Sequence, residues 1–323
     1  MKSDIVRSAE RAIESRVFPG CVIGLLDGDT RDVFCFGRYT YDASSAPVTP
    51  TSLYDCASLT KSVVTASLAL RLLDEGKLRL EDKLITFVPE YLTLHREAVT
   101  IRHLLTYTLG NSLPLSQAGT TVEDIMYAVC HETTQVPGTF FNYSNTPALL
   151  LGLAIERVLG QPLGQAARAV VFEPLAMHTA TFSPQGAVPT EDSLNDRVHD
   201  ESARVFAREG KTVGHAGLFA TSTDILQFMK TVLREKDQRI CTNQIEHLGA
   251  SAGMGWELNQ EWMGAKRSKN TFGKTGFTGC SITANFDAQK AVAILSNRTY
   301  PKPPDGRGVI DEFRRAVCDI VFI

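Results

Sequence analysis

Residues 58–76 read SLTKSVVTASLALRLLDEG, and the fold prediction starts from this stretch. From Thr60 to Glu75 apolar residues occur almost all around the helix axis, and Gly76 is a type of residue that commonly ends helices. A helix without a polar face must be enclosed by other parts of the chain. The sequence therefore predicts a buried helix that begins just after Ser58.

The sequence around this helix is strand-like at both ends of the chain and helical in the middle. Residues 21–41 predict a β-hairpin around the turn Asp27-Gly28-Asp29, and the polar residues 192–214 predict an irregular surface excursion. Further helices are predicted for residues 1–18, from Thr100 to Gly110, from Pro147 to Leu159, after a Thr223-Asp224 cap and at the C-terminus; further strands are predicted at MGWEL, TFGKTG, CSITANFD and KAVAILSN.

This order of elements predicts an α/β (α+β) fold, in which an antiparallel sheet is flanked by the terminal helices and carries an inserted, all-helical lobe. Residues 1–50 and 215–323 are predicted to form the discontinuous sheet domain, and residues 51–214 the mainly helical domain. Ligand sites favour such interfaces, so the active site is predicted between the two domains.

The composition of the 323 residues excludes several classes of partner. A net charge of −3 and a pI near 6.2 give no electrostatic footprint for nucleic acid, and the small basic cluster Lys266, Arg267 and Lys269 fits a solvated loop. No apolar run approaches the ~18 residues of a membrane span. The charged N-terminus lacks the apolar centre of a signal peptide, which predicts a cytoplasmic protein unless an export signal has been removed.

Ser58 and Lys61 form the first candidate catalytic pair. Residues at i and i+3 are neighbours on one helix face, and a desolvated lysine has a lowered pKa that suits a base. Such a base can activate a serine hydroxyl as a nucleophile. The alternative is that Ser58 only caps the helix, because an S-x-x-K pattern also occurs by chance.

Two further motifs carry candidate site residues. Tyr143-Ser144-Asn145 precedes a helix, where the phenol could share proton transfer and the amide could orient the lysine or a substrate carbonyl. Lys274-Thr275-Gly276 begins a strand-rich segment, where the lysine and threonine could bind a carboxylate and backbone N–H groups could hold an oxyanion. The alternatives are a packed tyrosine with a helix cap and a glycine bulge, respectively; no P-loop pattern surrounds Lys274.

The order S-x-x-K, Y-S-N, K-T-G resembles that of the serine β-lactamase and penicillin-binding-protein superfamily. The Y-S-N motif is similar to that of the branch with class C β-lactamases, D-amino-acid-releasing peptidases and related esterases. Segments such as LTKSVVTASLALRLLDEGKLRLEDKL, TIRHLLTYT and GHAGLFATSTDILQF also look like family sequence, and the resemblance runs from about Phe18 almost to the C-terminus.

The resemblance implies a β-lactamase/transpeptidase-like fold and a role for each matching residue. Ser58 is similar to the acylated serine, Lys61 to its base, Tyr143 to the residue that shuttles protons and Asn145 to the contact for a substrate amide. Lys274 and Thr275 resemble the anion-binding wall. With Gly276 at the end of the motif, the backbone N–H groups of Ser58 and Phe277 would form the oxyanion hole.

Two positions depart from the family pattern. Many hydrolases of this branch have histidine where this chain has Lys274, and Tyr107 lies where relatives often show histidine. We interpret Tyr107 as structural, with a possible part in the cleft rim. His199 and His215 are interpreted as structural as well, since the chain has no G-x-S-x-G elbow and no metal-binding spacing; no metal or cofactor is predicted.

The predicted function is a serine hydrolase that forms an acyl-enzyme on Ser58 and hydrolyses small esters or amides. A β-lactamase or D-Ala-D-Ala carboxypeptidase is the related alternative, with a β-lactam or peptide as the small-molecule substrate. A scaffold or acyl-sensor without turnover is the alternative of another class. The sequence does not determine the oligomeric state.

Overall fold

The computed structural model describes residues 1–132, 134–192 and 194–322, and its central element is a β-sheet. The strands are β1 (Gly20–Asp27), β2 (Thr30–Gly37), β3 (Tyr54–Asp55), β4 (Phe219–Ala220), β5 (Glu257–Leu258), β6 (Thr271–Thr275), β7 (Ser281–Asn285) and β8 (Lys290–Ser296). Six of them form an antiparallel sheet in the order β2-β1-β8-β7-β6-β5, while β3 and β4 pair separately. The fold class predicted from the sequence is confirmed.

Helices surround this sheet and fill the middle of the chain. They are α1 (Lys2–Glu14), α2 (Ser67–Asp74), α3 (Leu84–Phe87), α4 (Ile101–Leu105), α5 (Val122–His131), α6 (Thr146–Leu159), α7 (Leu163–Ala167), α8 (Glu201–Arg208), α9 (Ser222–Glu235) and α10 (Gly308–Val321). Short π-helices cover Lys61–Ala66 and Arg168–Phe172, and short 3₁₀ turns cover Leu115–Gln117, Gln238–Ile240, Glu246–Leu248 and Glu261–Met263. None of the helices described is long and apolar enough to cross a membrane.

The strand period of two decides which helices cover each face of the sheet. Ile23 and Ile294 point into a cluster shared with residues of the two terminal helices, α1 and α10. Val22 and Leu295 point to the opposite face, into the larger core that also contains residues of α9 and the helical middle of the chain. Both faces of the central strands are therefore buried.

The buried helix predicted after Ser58 begins with a π-helical turn. Side chains of this turn bind distant backbone: Ser62 Oγ donates to the carbonyl of Gly255 at 2.6 Å, and Thr65 Oγ1 donates to that of Gly214 at 2.6 Å. Such π turns are rare and recur at functional sites. The polar residues of an otherwise apolar helix thus fix its first turn against the loops on either side.

Three predicted boundaries were wrong. The helix after Thr100 ends at Leu105 instead of continuing to Gly110, because the backbone turns at Tyr107, which has a φ of 56°. Residues 192–214 include α8, so the stretch is not wholly irregular. The cap of α9 is Thr221, whose side chain accepts from the Asp224 N–H, rather than Thr223-Asp224. The division into two domains stays a prediction.

The seam between β1 and α9 depends on a residue without a side chain. A Cβ on Gly24 would lie 2.2 Å from Ser222 Oγ and 3.0 Å from Leu226 Cδ1. We expect Gly24→Ala to lower the free energy of unfolding by about 1–3 kcal/mol through overpacking. Urea denaturation measures this, with Gly308→Ala as the control, because a Cβ at Gly308 meets nothing within 4 Å. Equal stabilities of the two variants would show that the seam relaxes freely.

Candidate active site

Ser58 lies on a tight turn between β3 and the π-helix. The residue before it, Ala57, has a φ of 47°, in the left-handed region that non-glycine residues seldom adopt. The Ala57 N–H donates to Asp55 Oδ1 at 2.8 Å, and the Cys56 N–H donates to the Leu218 carbonyl at 2.8 Å. This strained, anchored turn leaves Ser58 half-buried at the edge of a cleft of about 400 Å³.

Lys61 is 1% exposed and makes three hydrogen bonds from its Nζ. The partners are Ser58 Oγ at 2.8 Å, Asn145 Oδ1 at 2.8 Å and the His215 carbonyl at 2.9 Å. The last two are pure acceptors, whereas the serine hydroxyl can also donate. A neutral amine at this place keeps its two N–H groups on Asn145 and His215, and its lone pair then faces the Ser58 hydroxyl.

A network behind Asn145 fixes which end of its amide faces Lys61. Asn145 Nδ2 donates to Asp200 Oδ2 at 3.0 Å, so Oδ1 is left for the lysine. Asp200 Oδ1 accepts from Ser202 Oγ at 2.6 Å and from the Ala203 N–H at 2.9 Å, which caps α8. Although burial raises the pKa of the Asp200 carboxyl, the neighbouring His215 ring and these hydrogen bonds hold it well below its ordinary value.

Tyr143 lies between two lysines and is 38% exposed. Its ring centroid is 5.5 Å from Lys61 Nζ and 3.9 Å from Lys274 Nζ, within the range of cation–π attraction. The Tyr107 ring packs against it at 5.0 Å. Burial raises the pKa of the Tyr143 hydroxyl, but the positive charges of Lys274 and Lys61 outweigh this and lower it overall. For Lys61, whose charged form is the protonated one, burial lowers the pKa, and the positive charge of Lys274 lowers it further.

Lys274 is completely buried and forms an ion pair with Glu257. The Lys274 Nζ lies 2.5 Å from Glu257 Oε1, and Thr275 Oγ1 donates to the same oxygen at 3.0 Å. Burial alone would lower the pKa of Lys274, but the carboxylate of Glu257 raises it above its ordinary value. Near neutral pH the lysine is therefore positively charged beside Tyr143.

The turn after Lys274-Thr275 brings the end of β6 against the Ser58 turn. A Cβ on Gly276 would lie 2.6 Å from the Cys56 carbonyl, so only glycine allows this approach. Arg314 Nη2 donates to the Gly276 carbonyl at 3.0 Å, and Arg298 Nε donates to the Phe277 carbonyl at 2.8 Å. With its carbonyls bound from behind, the turn holds its backbone in one conformation next to the serine.

The amide N–H groups of Ser58 and Phe277, predicted as the oxyanion hole, carry no hydrogen bond to any part of the protein that the structure describes. The Phe277 ring is exposed and stacks on His199 at a centroid distance of 5.0 Å. Burial lowers the pKa of His199 to about 4. In the described ranges, no group of His, Cys, Asp and Glu residues is placed to hold a metal ion.

The structure brings all eight sequence-predicted residues into one region and adds others that the sequence did not reveal. Asp200 and Ser202 lie in the stretch 192–214 that was predicted as irregular, and His215 directly follows it, so nothing indicated that they reach Lys61. Glu257 did carry a signal: it is the one charged residue in MGWEL, and the register places it opposite Gly273, beside Lys274. A lysine in a buried strand requires such a counter-charge nearby.

Comparisons with known proteins find related sequences and similar folds. A putative D-alanyl-D-alanine carboxypeptidase of Escherichia coli K12 is 28% identical, over 82% of this chain and 74% of that protein. The structure of EstCE1, a hydrolase with promiscuous acyltransferase activity, is similar with a TM-score of 0.78 at 19% identity, and 98% of each chain is covered. A β-lactamase/D-alanine carboxypeptidase from Pseudomonas syringae gives a TM-score of 0.77 at 17% identity, with 97% of each chain covered.

The sheet with its helices and the serine beside a buried lysine define a serine hydrolase. The family model described as Beta-lactamase matches residues 6–313, nearly the whole chain, and the protein belongs to this family.

The Asp200 network yields a prediction for stability. We expect Asp200→Ala to lower the free energy of unfolding by about 1–3 kcal/mol at pH 7, since the helix cap and the Asn145 anchor are both lost. The pKa of Asp200 is lower in the folded protein than the 3.8 of a free side chain, so its contribution is present above pH 3.8 and fades as the pH falls further. Urea denaturation at several pH values from 7 to 3 should therefore show that the difference in unfolding free energy between the wild type and Asp200→Ala becomes smaller.

Asp200→Asn is the matched variant, because asparagine keeps an N-cap acceptor but lacks the charge. It should lose less stability than Asp200→Ala. If both variants are as stable as the wild type, the network contributes nothing to the fold.

Proposed function

We propose that the protein hydrolyses small esters or amides through an acyl-enzyme formed on Ser58. The observation that supports this most is the placement of Lys61, whose two other partners are acceptors and leave its lone pair for the serine hydroxyl. Lys61 removes the hydroxyl proton as Ser58 Oγ attacks the carbonyl carbon of the substrate. The lowered pKa of Lys61 favours the neutral amine that this step requires.

Tyr143 is proposed to pass the proton on to the leaving group. Its hydroxyl has a lowered pKa, and its ring contacts both lysines, so it exchanges a proton more readily than an ordinary tyrosine. The leaving group departs protonated, and a water molecule, activated by the same groups, then attacks the acyl-enzyme and releases the acid. The Ser58 and Phe277 N–H groups would bind the oxyanion in both steps.

A D-Ala-D-Ala carboxypeptidase activity is the second candidate, and the names of the curated relatives favour it. Acyl transfer to an acceptor other than water follows the same chemistry, and EstCE1 is described as having it. The predicted role of Asn145 as a contact for a substrate amide also stays open. Both polar atoms of its side chain already bind Lys61 and Asp200.

The acyl-enzyme is tested by mixing the protein with p-nitrophenyl butyrate, a chromogenic cephalosporin and a D-Ala-D-Ala peptide. We expect turnover of the ester, an acyl adduct on Ser58 by intact mass, and a loss of activity of at least about 10³-fold in Ser58→Ala. Ser3→Ala, at an exposed serine of α1, is the control. An unchanged rate in Ser58→Ala would contradict the proposal, and an adduct without turnover would indicate an acyl-sensor.

The pH dependence of ester hydrolysis tests the part of Lys274. Its positive charge lowers the pKa of both Lys61 and Tyr143, so Lys274→Met should raise both and move the acid limb of kcat/KM to higher pH. Lys266→Met makes the same change of net charge at an exposed position and should leave the limb in place. If the acid limb of kcat/KM lies at the same pH in the wild type and both variants, neither Lys61 nor Tyr143 controls the rate in this pH range.

A further inference from the structure

We propose that Glu257 occupies the place where a substrate carboxylate would bind, so that the site selects substrates that are uncharged next to Lys274 and Thr275. This inference rests on the proposed function and names its substrate class. It concerns the two residues that the sequence predicted as an anion-binding wall.

The first argument is that both side chains of this wall already bind a carboxylate. Lys274 Nζ and Thr275 Oγ1 both bind Glu257 Oε1, at 2.5 and 3.0 Å, and the Thr275 N–H points to the same oxygen at 3.4 Å. A carboxylate shared by a lysine and a threonine is the arrangement expected for a bound anionic ligand. Here the protein itself supplies that carboxylate.

The second argument is exposure. Lys274 is 0% exposed, whereas the Glu257 side chain is 21% exposed. Tyr143 and Tyr107 cover the ammonium further, with ring centroids 3.9 and 6.0 Å from Nζ. Of the two partners, only Glu257 therefore has side-chain surface left for a ligand to contact.

The third argument is the energy of replacement. A ligand carboxylate could reach Lys274 only by displacing Glu257, which would leave one of two carboxylates without a partner in a mostly buried place. The new contact only replaces the one that Glu257 made, so the carboxylate left unpaired is a net cost. If Glu257 stays, the two negative charges repel each other. A neutral ester or amide group has neither cost, so the charge of Glu257 becomes a specificity determinant.

The test compares a chromogenic cephalosporin with its carboxyl methyl ester, in the wild type and in Glu257→Gln. We expect the wild type to favour the methyl ester in kcat/KM, and Glu257→Gln to shift the ratio toward the free carboxylate by about 10–100-fold, the worth of one charge-assisted hydrogen bond. Glu261→Gln makes the same charge change at an exposed position and should keep the wild-type ratio. Glu257→Asp retains the charge and should retain the preference for the ester.

A wild type that prefers the free carboxylate would overturn the inference, even if no Glu257 variant folds. So would a ratio that is equal in the wild type and Glu257→Gln. The turnover of p-nitrophenyl butyrate is followed in parallel, because it depends on the proposed function but carries no carboxylate. If it is turned over while the ratio does not shift, only the present inference fails.

A binding measurement that requires no turnover tests the present inference independently of the proposed function. Chemical-shift titration with N-acetyl-D-alanine and with its amide requires no chemistry at Ser58. We expect Glu257→Gln to bind the carboxylate about 10–100-fold more tightly than the wild type does, with little change for the amide. Equal affinity of both proteins for the carboxylate would contradict the inference, whatever the outcome with the ester.

Discussion

The enclosure of the Lys61 side chain is the constraint on which the rest of the structure depends. A buried amino group requires a hydrogen-bond partner for each of its hydrogens, and in this protein three separate segments supply them. The partners come from the turn of Ser58, from Asn145 at the start of α6 and from the carbonyl of His215. The π-helical turn, the strained Ala57 and the network of Asp200 all hold these three acceptors at one point. The contacts that stabilise this part of the fold are therefore also the contacts that position the candidate catalytic groups.

The second lysine of the site, Lys274, is also buried, but its charge is compensated by an ion pair. Lys274 is buried in a strand of the sheet, where hydrogen bonds to neutral groups would not compensate an ammonium. Glu257 does so, and the pair leaves a fixed positive charge against the ring of Tyr143. The carboxylate of Glu257 thus keeps Lys274 protonated, whereas burial makes Lys61 lose its proton more easily. The positive charges of both lysines lower the pKa of Tyr143, which lies between them.

The sequence predicted the fold class correctly, and the candidate site residues that it predicted lie together in the structure, because both are expressed in local patterns. Two apolar runs on either side of a turn signal identified the hairpin of β1 and β2, and the absence of a polar face identified the buried helix after Ser58. Long-range polar contacts have no such pattern: nothing adjacent to Asp200 indicates that it binds Asn145, and nothing adjacent to Arg314 indicates that it binds Gly276. The end of α4 was missed for a related reason, since a tyrosine with a positive φ is imposed by tertiary packing and not by propensity.

The pairing of β1 with β8 has a consequence for synthesis in the cell. About 270 residues separate the two partners along the chain, one of the longest loops that a protein of this size can close. The hairpin of β1 and β2 emerges from the ribosome with an apolar edge strand, and its neighbour in the sheet, β8, follows only about 270 residues later. The exposed edge invites pairing with other chains until then. The synthesis of β8 therefore both covers this edge and ends a period in which the nascent chain is prone to aggregation.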